Sequence, residues 1–79
     1  MEFILENQFV IYTDLMGTLW LGVVEEACEQ FVCIKDYDMI KRSKCYKAHE
    51  SLCDKELLGY KYHELTRNRS NIKFNLEPF

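Results

Sequence analysis

Seventy-nine residues with 48% apolar, 14% aromatic and 29% charged side chains suffice for one small core, residues 1–79 as a single domain, and exclude both a second domain and a disordered chain. The net charge of −3 is divided unevenly: residues 1–40 carry eight carboxylates and one base, residues 41–79 nine bases and five carboxylates, a balance of −7 plus +4. Three isolated glycines exclude a phosphate-binding loop, and the ten-residue uncharged run at 15–24 is about half of a membrane span.

The chain opens acidic on both sides of Phe3-Ile4-Leu5, the opposite of a secretory leader. The expected compartment is therefore the cytoplasm, with Cys28, Cys33, Cys45 and Cys53 as free thiols. Residues 8–13 (Phe9-Val10-Ile11-Tyr12 at their centre) predict a first strand, closed by a turn at 14–17 in which Gly17 takes positive φ. A second strand is expected over 18–24, with Leu19, Leu21 and Val23 on one face and Trp20, Gly22 and Val24 on the other. An acidic turn at 25–29 leads into a third strand over 30–37. Residues 39–46 predict a fourth, its edge guarded by Lys41, Arg42 and Lys44.

Ser51 with Asp54 three residues on predicts the start of a short helix that Gly59 closes. Alternation at Ile72, Phe74 and Leu76 predicts a last strand over 72–76, ended by Pro78. The fold class expected is α+β, mostly β: a small antiparallel β-meander or SH3-like barrel of about five strands with one short helix.

Chemistry-bearing residues form three groups. Cys45, His49 and Cys53 stand at i, i+4 and i+8, so a continuous helix would align them for a zinc ion, with Cys28 or Cys33 as a fourth ligand. Ser51 as a helix N-cap argues against that helix, and no C-x2-C knuckle is present. No cofactor is expected. Neither is catalysis, because no thiol or hydroxyl stands in a nucleophile signature.

Lys41, Arg42, Lys44 and Lys47, interleaved with Tyr46, have the composition of a nucleic-acid backbone surface on which Tyr46 would stack a base. Glu25, Glu26, Glu29, Asp36 and Asp38, with Tyr37 beside them, form an acidic set suited to the arginines and lysines of a partner that ordinarily holds phosphates.

The order Thr-x3-Gly-x4-Gly from Thr13, an acidic turn, Phe-Val-Cys-Ile-Lys-Asp at 31–36, the basic Ile40-Lys41-Arg42, then Ser-Leu-Cys-Asp-Lys-Glu-Leu-Leu-Gly at 51–59 resembles a small domain family of unknown function common in phages and mobile elements. The resemblance spans residues 9–61. It implies a compact, stand-alone viral protein of the host cytoplasm, of a kind that inhibits or modulates host machinery such as defence nucleases.

The function expected is thus a small non-enzymatic intracellular binding protein acting through its acidic surface on a host protein or nucleoprotein, as monomer or homodimer. The alternative is a small-barrel nucleic-acid binder using Lys41, Arg42, Lys44 and Tyr46. A structural zinc module is the third.

Overall fold

Alternate residues of the two long apolar runs leave opposite faces of one sheet, and both faces are covered. In the computed structural model, which describes residues 3–79, the strands are β1 (Phe9–Thr13), β2 (Leu19–Ala27), β3 (Phe31–Ile34), β4 (Met39–Lys41), β5 (Cys45–Lys47) and β6 (Glu77–Pro78). They form one open antiparallel sheet in the order β4-β3-β2-β1-β5-β6. The meander of β1 to β4 is the one expected. The ladder does not close into a barrel: β4 and β6 are its edges, protected by Lys41 and by Pro78, which has no N–H to offer a further strand.

One core lies on the face that receives Val10 and Tyr12 of β1, Val24 of β2, Val32 and Ile34 of β3 and Cys45 of β5, with Ile4. Trp20 and Phe79 pack at its margin. The other face receives Ile11 and Leu21, which meet Leu52 and Leu65 from the chain beyond β5. A sheet buried on both faces needs near-continuous apolar strands, which is why β1 and β2 lack a clean polar alternation.

Gly22 lies where the first core is tightest. A β-carbon there would come within 2.7 Å of the Tyr12 ring and 2.9 Å of the Ile34 side chain. The position is glycine because Tyr12 crosses over it.

β2 bends to serve two neighbours. Its first half pairs with β1, and its second half pairs with β3 after a bulge between Val24 and Glu26. Glu25 and Glu26 therefore belong to a strand, where a turn was expected. The outer edge of the first half is covered by later chain: the Leu21 N–H donates to the Tyr60 carbonyl (3.3 Å), and Trp20 bridges to Lys61.

Four other expectations are corrected. The third strand ends at Ile34, because the chain turns at Asp36. Residues 39–46 are not one strand: a 3-10 turn at Arg42–Lys44 divides β4, which pairs with β3, from β5, which pairs with β1. Ser51 does not begin an α-helix. It sits inside a 3-10 turn (Glu50–Leu52) capped by His49, whose ring accepts the Ser51 N–H, and Asp54 caps a second (Lys55–Leu57). Gly59 follows this second turn at φ +88°, a C-terminal glycine as expected. The α-helix is α1 (Tyr62–Arg67), which turns Leu65 inward. Residues 72–76 alternate without pairing, since Glu77 and Pro78 take the edge of β5 instead.

Candidate functional site

β3 is four residues long, so the hairpins at its two ends lie roughly 13 Å apart along the strand. That spacing divides the acidic set. Asp36, Tyr37 and Asp38 form the β3–β4 tip and Glu29 occupies the β2–β3 tip, whereas Glu25 and Glu26 lie on β2 between them, Glu26 opposite Cys33 and Glu25 in the bulge beside Ile34. Glu29 is thus parted from the Asp36–Asp38 tip by the length of β3, with Glu25 and Glu26 spread along the neighbouring strand.

The β3–β4 tip is held firmly. Asp36 adopts φ +62°, a conformation that aspartate tolerates better than most residues. The Tyr37 N–H donates to the Ile34 carbonyl (3.1 Å), and the Asp38 carboxylate accepts the Met39 N–H (2.7 Å). Next to the tip, the Lys35 N–H donates to the Val23 carbonyl (2.9 Å) and its ammonium to Asn7 Oδ1 (2.6 Å). Tyr37 is 42% exposed, yet its ring lies 5.0 Å from that of Tyr12 at 39°. It is anchored on one face and open on the other.

The β1–β2 turn points the same way as this tip, because β3 runs antiparallel to β2. Asp14 organises it: its carboxylate accepts from the N–H of Met16 and of Thr18 (2.9 Å each) and from the Trp20 indole (2.8 Å). The indole bond, then the backbone bonds, hold the Asp14 carboxyl below the usual 3.8. Its stabilising contribution is accordingly present above 3.8 and is lost as pH falls through the depressed value. Gly17 completes the turn at φ +83°. At its apex Leu15 and Met16 stand 98% and 88% exposed.

At the far end of β3 the charges are mixed. The Arg42 N–H donates to the Gln30 carbonyl (2.8 Å), and Glu29, Gln30, Phe31, Lys41, Arg42 and Ser43 share one shallow depression. Bases beside Glu29 dilute the field of both signs there. Asp36 and Asp38 keep theirs: among the described residues no ion pair engages either carboxylate.

Of the predicted basic set, Lys41 and Lys44 are exposed, and Arg42 and Lys47 are half-buried. Tyr46 pairs with Ile11 and packs against the second core, so part of its ring is already occupied. The zinc spacing fails for a structural reason. Cys45 lies in β5 with its side chain in the first core, while His49 and Cys53 are exposed around a 3-10 turn. Among the described residues no three metal-ligating side chains come together.

Burial pushes the Cys45 thiol from the usual 9.0 to about 11, with Arg42 opposing the shift. At pH 8 roughly one Cys45 in a thousand is thiolate. Iodoacetamide at that pH is expected to label exposed Cys28 and Cys53 and to spare Cys45 until the protein unfolds. Peptide mass mapping checks this, and equal labelling of Cys45 and Cys28 would contradict it. The sign for stability is the same: burying the neutral thiol contributes fully below pH 9 and is lost as pH rises from 9 to 11.

Sequence reasoning missed Tyr12 and Trp20 as the supports of a surface, and Leu15 and Met16 as parts of it. For the last two a signal existed: an apolar pair at the centre of a turn, where polar residues are the rule. A groove of about 700 Å³ opens beside Gly22 and Val23, between Lys35 and Lys55. No helix among the described residues is long and apolar enough to cross a membrane. Comparison with protein-family models, curated proteins and solved structures finds no match for this chain.

Proposed function

We propose that this chain is a small non-enzymatic binding protein that engages a basic protein, or the protein part of a nucleoprotein, through the Asp36, Tyr37 and Asp38 tip. One observation carries the reading: an exposed tyrosine, stacked on a buried one, stands between two carboxylates on a hydrogen-bonded hairpin. Fixed carboxylates lose little entropy on pairing with guanidinium or ammonium groups, and an aromatic face adds a cation–π contact for arginine. Glu25, Glu26 and Glu29 are further off and serve long-range steering.

The resemblance to a phage and mobile-element domain supports a more specific role. In that role the protein, in the host cytoplasm, occupies the phosphate-binding surface of host machinery such as a defence nuclease.

Protein immobilised and exposed to host lysate is expected to retain a partner at about 50 mM salt and to release it near 500 mM, where the Debye length falls to a few ångströms. Asp36→Asn with Asp38→Asn, which removes both charges but keeps a residue suited to positive φ and a side-chain acceptor for the Met39 N–H, is expected to abolish retention at the lower salt with Tm nearly unchanged. Retention by that variant would sink the reading. So would a shift of short RNA or DNA that Lys41→Glu with Lys44→Glu removes, which would establish the nucleic-acid alternative.

A further inference from the structure

We propose that Leu15 and Met16 are the apolar anchor of this interface, and that the partner receives them in a concave apolar pocket edged by basic side chains. The inference rests on the reading of the acidic tip and adds to it an apolar component of the affinity. Large apolar side chains at 98% and 88% exposure leave nearly all their surface in water. Burying each one on a partner is worth about ten- to a hundredfold in affinity.

The turn also needs no ordering. Three bonds to the Asp14 carboxylate, the Asp14 N–H donating to the Thr18 carbonyl (2.9 Å) and the Gly17 N–H donating to the Asp14 carbonyl (3.1 Å) fix its backbone before any partner arrives.

Position links the anchor to the tip. Tyr37 stacks on Tyr12, and Tyr12 lies three residues before Leu15, about 10 Å of chain. The β1–β2 turn thus carries an apolar pair, and the β3–β4 tip that points the same way carries an exposed tyrosine and two carboxylates, the components of a protein interface: an apolar centre, an aromatic contact and a charged rim. The projecting apex calls for a concave counterpart, and Asp36 and Asp38 call for basic groups around it. A lipid surface fits poorly. Two side chains give only marginal membrane anchoring, and the neighbouring carboxylates repel anionic headgroups.

The test begins with the protein that wild-type bait captures from host lysate. That partner is identified, purified and titrated by calorimetry against wild type, Leu15→Asp with Met16→Asp, and Asp36→Asn with Asp38→Asn. Both pairs of positions are exposed, and matching thermal melts confirm that each variant folds. The apolar variant is expected to bind at least a hundredfold more weakly. Met16→p-benzoylphenylalanine is expected to cross-link to an apolar segment of the partner with lysine or arginine alongside.

Undiminished binding by the apolar variant overturns the anchor. If only the charge variant loses binding, the anchor fails and the acidic reading stands. If only the apolar variant loses it, the acidic reading fails and the anchor stands. Capture of no protein overturns the inference. Sedimentation of wild type, but not of the apolar variant, with phosphatidylcholine–phosphatidylglycerol vesicles also overturns it, in favour of a membrane.

Discussion

Leu52→Ala is expected to lower the free energy of unfolding by about 2–5 kcal/mol, the range for emptying a closed apolar site. Leu52 is fully buried and joins Ile11 of β1, Leu21 of β2 and Leu65 of α1, so it fastens the chain beyond β5 to the outer face of the sheet. It is the one buried residue of its 3-10 turn, and the turn itself is held by the Ser51 N–H donating to His49 Nδ1 (3.1 Å). A chain of this length has roughly 4–12 kcal/mol to lose. Much of that margin therefore depends on a segment with little regular structure. Urea denaturation followed by Trp20 fluorescence measures the change, and a loss below about 1 kcal/mol would mean that the outer face is sealed by other contacts.

The second large effect falls on binding. Tyr37→Ala is expected to weaken partner binding about thirtyfold, as for a central interface tyrosine, and to cost the fold only about 0.5–1.5 kcal/mol through the lost ring pair with Tyr12. Tyr37→Phe keeps the ring and should retain most of the affinity. The two variants separate a ring that contacts the partner from one that merely packs. If both bind like wild type, Tyr37 lies outside the interface. If Tyr37→Ala instead unfolds the hairpin, amide exchange at Ile34 and at position 37 itself, both hydrogen-bonded across the tip, rises sharply and its role is structural.

The strands were legible where burial on one or both faces leaves a pattern in the residues themselves. Leu19 and Leu21 do turn to one core, and Trp20 and Val24 to the other. Gly17 takes the predicted positive φ. What local pattern does not encode is where a ladder breaks. Residues 39–46 read as a single strand, but Met39 to Lys41 pair with β3 whereas Cys45 pairs with Tyr12 of β1, so the chain turns at Arg42–Lys44 to change partner.

The six residues of α1 give too little length for a helical period, and only Leu65 is buried. At 72–76 the alternation is real as partial burial of Ile72 and Phe74, yet it lacks a pairing partner. The acidic residues are legible one by one in the sequence. That they spread along β2 and β3 instead of sharing one patch depends on the register of the two strands, which includes a bulge invisible in composition. The charge division between the chain's halves likewise disappears at one end of the fold, where Arg42 meets Gln30 beside Glu29.

The most direct test of binding through one end of the sheet is a map of backbone amide shifts in the isotopically labelled protein as purified partner is added. Shifts and line broadening should concentrate at 14–18 and 35–38, with residues 41–47 and the Glu29 tip unaffected. A map centred on Lys41, Lys44 and Tyr46 would contradict the account and place the partner on the basic segment.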